Sequence, residues 1–496
     1  MAAWRDRVDP LLTRGGICLP HVHTGHLQAD VFLATARIAA ALPAFVAAQR
    51  PARVEVHGAD PELAAALVAA LEVPSTVIGE GPRPRYPIGF SRSVRRGRLA
   101  PVREAVGLPG RPRGSVLIQP FRHLTSLWSA LPARGVEPVL DPALLPGLPA
   151  RELLARMRRG GFIGHPGARA ARHSRAALRE ALATAAEPRD ELAPIAALAE
   201  RRAIELLRQL GGDTFARGEV FRSAAGRGVR TAVVPSDTGA YARTFASATG
   251  KLGTSRVTVQ HGFYGDLWRL DGKLVPYADG VEAERVAVWS ARDAERLRGA
   301  ARGAVTVTGN PGAAPAPPPR RDPGRAALVL LQPLGPSTLA FDVRGARRYA
   351  EEALAGLAAA RFSGPVVLRP HPLDRMSYAG LDTHGLSTSV DASTSLAAAL
   401  REARLCIGTM STATLEAIRA GVPTVFLDVA GVPLPWPFDG SGALPRATDR
   451  ASVGDTLATL GDAPGDIARA AADEALGVRP GALDQVVELV VAASRT

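Results

Sequence analysis

The chain has 496 residues, of which 46% are hydrophobic and 22% charged, and its formal net charge is +13. These proportions exclude a disordered or fibrous chain, and the length suits two domains of roughly 200 residues or more better than one core. No run approaches the ~18 uncharged apolar residues of a spanning helix; the nearest, 27–49, is interrupted by Asp30, Arg37 and Pro43.

Asp6 and Asp9, with no apolar run and cleavage site behind them, argue against a secretory leader. Cys18 and Cys406 lie far apart in apolar runs. They cannot form a disulfide framework and read as buried thiols, so a cytoplasmic protein is expected. The positive charge is local. Between Arg83 and Arg113 stand nine arginines and one Glu, while Lys251 and Lys273 are the lysines of the whole chain. With few aromatics beside them these arginines build no base-stacking platform, so nucleic acid is not an expected partner. The expectation is a loop able to meet an anionic or lipid-linked acceptor, or the inner face of the membrane. A merely solvated loop is the plainer alternative.

Along the chain, short β-branched runs alternate with amphipathic helices, the pattern of parallel sheets with crossover helices. Strands are predicted at 17–20, 54–57, 115–119, 231–235, 258–260 and 286–289, and helices at 27–42, 61–71, 151–158 and 191–210. The stretch 140–228 reads as all-helical, a cover over the sheet edge or a small insertion. After a strand at 305–308 comes a segment with six prolines and three arginines between Pro311 and Arg325, which is linker composition. Alternation then restarts, with strands at 327–331, 366–369, 387–390, 405–407 and 424–427 and helices at 346–360, 396–403 and 413–420. The expected domains are 1–312 and 326–496, joined by a linker at 313–325. The expected class is α/β, with two doubly wound Rossmann-like domains.

Ligands of open α/β sheets bind beyond the carboxyl ends of the strands, and four polar clusters are predicted there. The first, His21-Val22-His23-Thr24-Gly25-His26, has no carboxylate or cysteine at a metal-ligand spacing. His26 is its candidate for acceptor binding or base duty, and an ordinary loop is the alternative. In Gln260-His261-Gly262 the glycine permits close approach to a ligand, and Asp237, after the preceding strand, would raise the basicity of a neighbouring imidazole. Against this stands a histidine bonded within its own loop. Arg369-Pro370-His371-Pro372 offers two phosphate donors on a proline-stiffened turn; its bland alternative is a rigid surface turn. Gly408-Thr409-Met410-Ser411-Thr412-Ala413-Thr414 leads from strand to helix and would present hydroxyls and free N–H groups to an anion. Glu416, about one turn on, would meet ribose hydroxyls. Plain N-capping is the competing explanation.

Gln260-His261-Gly262, Gly309-Asn310-Pro311, Arg369-Pro370-His371-Pro372 and Ser411-Thr412 with Glu416-Ala417 and Ala420-Gly421-Val422-Pro423 occur in that order. Together they resemble the GT-B superfamily of glycosyltransferases. The branch is that of bacterial surface polysaccharides: CDP-glycerol glycerophosphotransferases, Kdo transferases, and the sialyl- and polysialyltransferases with His-Pro and Ser/Thr motifs. The resemblance covers about 233–425 and leaves the first 230 residues, and so the acceptor, untouched. It implies two domains facing across a cleft and a CMP-, CDP- or UDP-linked sugar donor. Arg369, His371, Ser411, Thr412 and Glu416 would bind that donor, and His261, with Asp237 and His26 as rivals, would activate an acceptor hydroxyl. Neither metal nor cofactor is implied. Two departures stand out: the paired-acid-Gly motif of the polysialyl branch is missing, and Gln260 occupies a position where the glycerophosphotransferases often have Trp. A nucleotide-sugar 2-epimerase and a non-catalytic nucleotide-sugar-binding protein are the alternatives.

Overall fold

The fold is given by a computed structural model. The structure describes residues 2–23, 27–32, 42, 46–57, 61–71, 73–79, 111–119, 124–141, 150–164, 168–187, 192–236, 239–262, 269–270, 273–274, 281–313, 324–331, 343–371, 378–391, 395–428 and 436–495.

Two six-stranded sheets organise the chain. The first contains β1 (Val116–Ile118), β2 (Pro138–Val139), β3 (Thr231–Val234), β4 (Ser255–Val259), β5 (Arg285–Val288) and β6 (Ala304–Val307), in the order β6-β5-β4-β3-β1-β2. β3 runs parallel to β4 and to β1, and β1 parallel to β2. The second contains β7 (Ala326–Leu330), β8 (Val366–Arg369), β9 (Thr388–Val390), β10 (Ala403–Gly408), β11 (Thr424–Leu427) and β12 (Arg446–Ala447), in the order β9-β8-β7-β10-β11-β12. All five of its pairings are parallel. Counted within the sheet, that order is 3-2-1-4-5-6, the arrangement of doubly wound dinucleotide-binding folds.

The chain divides into two compact units. One comprises Met1–Thr258, Val281–Arg285 and Val487–Thr496, the other Val259–Gly280 and Val286–Val486. In the first, the long helix α1 (Pro194–Ala225) begins with proline, whose missing N–H costs nothing at a helix start. It is not peripheral: Leu198, Ala203, Leu206, Leu207 and Phe221 are buried with Leu117, Ala232 and Val234 of the sheet. Helix α2 (Ala240–Thr249) adds Tyr241 and Phe245, whose rings stand edge-on to Phe221 at 5.0 and 5.4 Å. The expected strand at 17–20 is instead a short hairpin, Thr13–Arg14 against Ile17–Cys18, followed by a helical turn, Leu19–Val22. Pro20 in the first turn explains the change, since it lacks the N–H a ladder needs and suits a helix start. Val54–His57 and Ser75–Ile78 pair with each other in a separate two-stranded sheet.

In the second unit, alternate residues of β7 serve opposite faces. Ala327 and Val329 pack under helix α3 (Val343–Ala359) with Tyr349, Ala353 and Leu357. Leu328 and Leu330 pack with Leu400 of α4 (Leu396–Glu402) and Ala417 of α5 (Thr412–Arg419). All five β7 residues are buried, which is why that strand reads as an uninterrupted apolar run. The edge strand β9 is short and largely exposed.

Small residues seat the N-terminal hairpin on α1. A Cβ at Gly218 would lie 2.0 Å from Ile17 Cδ1, and one at Gly211 2.8 Å from Leu19 Cδ1. Gly218→Ala is therefore expected to overpack, costing about 1–3 kcal/mol less the ~1 kcal/mol gained in helix propensity. Ile17→Val removes the clashing methyl. The double variant should unfold in urea no earlier than Ile17→Val alone, whereas simple additivity would show that the notch is not tight.

Candidate functional site

At the second sheet, strand order reverses between β7 and β10, and it is beyond the carboxyl ends at such a reversal that open α/β sheets bind their ligands. α5 starts there. Ser411 caps it in extended conformation (φ −153°, ψ 157°), its Oγ accepting from Thr414 N at 3.3 Å. Thr414 Oγ1 in turn donates to Thr409 O at 2.6 Å. The strand-to-helix turn closes this tightly because residue 408 is glycine, where a Cβ would sit 2.3 Å from Thr414 Oγ1. The first-turn N–H groups of Thr412 and Ala413 have no intrahelical acceptor, as at any helix start, and favour an anion. Thr412 and Ser411 are half-buried and Glu416 is exposed on the same helix.

The second donor set lies across β7. Arg369 ends β8 and is half-buried; its carbonyl accepts from Leu331 N at 2.9 Å, and the exposed His371 follows Pro370. β8 and β10 are thus separated by β7. At about 4.8 Å per strand the two sets stand roughly 10 Å apart along the sheet edge, flanking β7. The topology thus puts one strand between the two motifs. Residue 372, the second proline of the motif, lies outside the described residues.

His261 is exposed just beyond β4, and its backbone belongs to the same compact unit as α5. The residue before it is the informative one. Gln260 is fully buried. Its Oε1 accepts from Trp289 N at 2.7 Å, and its Nε2 donates to Gly262 O at 2.9 Å. It also hydrogen-bonds the carboxyl of Asp293. Asp293 lies in the helical turn Ala291–Leu297, where Ser290 caps the start by accepting from Asp293 N and donating to Asp293 Oδ2 at 2.7 Å. Burial pushes the Asp293 carboxyl above its ordinary value, against the hydrogen bonds from Ser290 and Gln260 and the charge of Arg296. Sequence reasoning missed this network; its available signal was the Ser-x-x-Asp spacing directly after a strand.

The histidine cluster resolves into separate roles. His23 is buried, with Nε2 2.9 Å from Thr214 Oγ1 of α1. His21 Nε2 lies 3.4 Å from Glu282 Oε1, and the buried Arg243 donates to His21 O at 2.8 Å. Arg256 of β4 donates to Glu282 O at 2.6 Å. His26, Asp237 and the arginine segment up to residue 110 lie outside the described residues. Cys406 is buried and Cys18 half-buried, and burial raises both thiols. Among the described residues no group of three His, Cys, Asp or Glu could hold a metal ion, and no helix is long and apolar enough to cross a membrane.

No protein-family profile matches the chain, and no curated protein does. Solved structures do. CalG4, the calicheamicin glycosyltransferase, is 14% identical with a TM-score of 0.42, over 77% of this chain and 98% of its own. The wall teichoic acid polymerase TagF, in a single-site variant soaked with CDPG, is 11% identical with a TM-score of 0.36, over 55% of this chain and 75% of its own. A protein of Listeria monocytogenes assigned as a UDP-N-acetylglucosamine 2-epimerase is 14% identical with a TM-score of 0.36, over 58% of this chain and 84% of its own.

Burial alone would raise the Glu282 carboxyl, but the hydrogen bond and charge of His21, with Arg243 and Arg256, hold it at about 2. A folded value below the unfolded one gives stability that is present above pH ~4.5 and lost as pH falls toward 2. Glu282→Gln should lower urea stability at pH 7 by about 1 kcal/mol, since solvent screens part of the pairing, and flatten its decline between about pH 4.5 and 2. An unchanged acid limb in the variant would show that the carboxylate contributes nothing.

Proposed function

We propose that the protein is a metal-independent glycosyltransferase or glycerophosphotransferase-like enzyme of the GT-B type. It takes a CMP-, CDP- or UDP-linked donor and transfers the activated group to a hydroxyl acceptor in glycan or glycoconjugate synthesis. The observation that carries this is the reversal of strand order at β7 and β10, with a Ser-capped helix starting at the crevice and Arg369 and His371 on its other flank. Such a crevice is where doubly wound sheets hold nucleotides.

In this scheme the region 326–496 holds the donor and the N-terminal region receives the acceptor. The acceptor hydroxyl gives its proton to His261 and its oxygen bonds to the activated carbon (or phosphorus). The bond from that atom to the nucleotide's phosphate oxygen breaks, and the nucleotide departs with the electron pair. Arg369, His371 and the first-turn N–H groups of α5 neutralise the growing negative charge, the largest contribution such a site makes. Glu416 takes ribose hydroxyls. Asp237 and His26 are the rival bases, and the arginine-rich segment attracts an anionic or lipid-linked acceptor.

The test starts by finding which of CMP, CDP, UDP, GDP and TDP raises the melting temperature. A charged hydrogen bond is worth about 1.5–3 kcal/mol, so His371→Ala should weaken that nucleotide roughly ten- to a hundredfold in calorimetric titration. In the same set His261→Ala should bind it normally and turn over about 10²–10⁴-fold more slowly. Equal affinities of wild type and His371→Ala would move the phosphate elsewhere. Isomerised donor without transfer would identify an epimerase.

A further inference from the structure

The geometry points to Gln260 as the residue that positions His261, and to its carboxamide as the reason. A carboxamide has one end that accepts and one that donates, and here the two ends are used differently. The accepting end meets Trp289 N at 2.7 Å, a donor that requires an oxygen. The donating end meets Gly262 O at 2.9 Å, an acceptor that requires an N–H. The side chain is fully buried, so neither end has water as a substitute. One side chain therefore spans the residue it precedes, fixing the far side of His261 from the near side and leaving the imidazole on an anchored backbone.

The anchor itself is held firmly. Trp289 is buried in one apolar cluster with Leu415 and Ile418 of α5, and Met410, directly before Ser411, packs against that cluster. Gly477, with φ +63°, permits the close approach, because a Cβ there would lie 2.5 Å from Trp289 Cβ. The chain of contacts thus runs from Gly262 through the Gln260 amide and Trp289 to the helix that begins at Ser411. All of these residues lie in one compact unit. Gln260 fixes the His261 backbone relative to the donor helix, so that donor and histidine keep their spacing whatever carries the acceptor. What His261 does with this placement rests on the transferase proposal; the tie does not.

Two variants separate the ends of the amide. Gln260→Glu keeps an acceptor for Trp289 N but loses the donor to Gly262 O and to the Asp293 carboxyl, and Gln260→Met keeps the volume and loses all three. His261 and His371 carbethoxylation by diethyl pyrocarbonate is followed by mass spectrometry, alongside UDP and CDP affinity, turnover and amide exchange at Trp289. Both variants are expected to change the His261 modification rate and leave that of His371 as in wild type. Trp289 exchange should accelerate in Gln260→Met and not in Gln260→Glu. Nucleotide affinity should hold in both while turnover falls toward the His261→Ala level, about 10²-fold or more below wild type. Unchanged His261 modification in both folded variants overturns the assignment, as does normal turnover in Gln260→Glu. A wild type inactive with every donor would sink the transferase proposal alone, because modification and exchange still judge Gln260.

Discussion

β7 is buried along its whole length, so neither of its faces can hold a polar ligand and only its ends can. In a parallel sheet the carboxyl ends lie along one edge, and the connections that follow them must begin there. The placement of the candidate site depends on this constraint. Arg369 ends β8 and His371 follows it, Thr409 to Thr412 follow β10, and both strands are hydrogen-bonded to β7. The polar groups share one sheet edge without any direct pairing between their segments.

Tight turns fix the backbone at that edge. Gly408 lets the Thr414 side chain lie against the strand end, and Ser411 is consumed in capping. Ser411 Oγ thus supports the helix start, while the first-turn N–H groups remain the donors a phosphate would meet. On the His261 side the buried Gln260 amide has the corresponding supporting role. In each case a polar side chain fixes the backbone beside the group proposed to meet the ligand.

Much of this was legible in the sequence. The runs at 366–369 and 424–427 are strands at those bounds, because apolar residues between turn signals leave little choice. The Ser-led helix start was legible for the same local reason. Other features were not. Strand order is a long-range property, so the separation of β8 from β10 by β7 could not be read from motifs. Pro20 turned an apolar run into a helical turn, which removed His21 and His23 from the strand-end setting expected for them. His23 went to a buried contact with Thr214, 191 positions away, which no local pattern announces. Gln260 stood out only as a departure from a family pattern; the bond its Oε1 accepts depends on Trp289, which follows another strand.

The central claim is that a nucleotide phosphate sits beyond the carboxyl ends of β7 and β10. Hydrogen–deuterium exchange with and without saturating UDP or CDP tests it most directly, because the first-turn N–H groups of α5 are among the proposed donors. Slowed exchange in peptides spanning 409–415 and 369–371, with the bases of both sheets unaffected, is the predicted result. A nucleotide that binds while exchange at 409–415 stays as in the free protein would contradict the account.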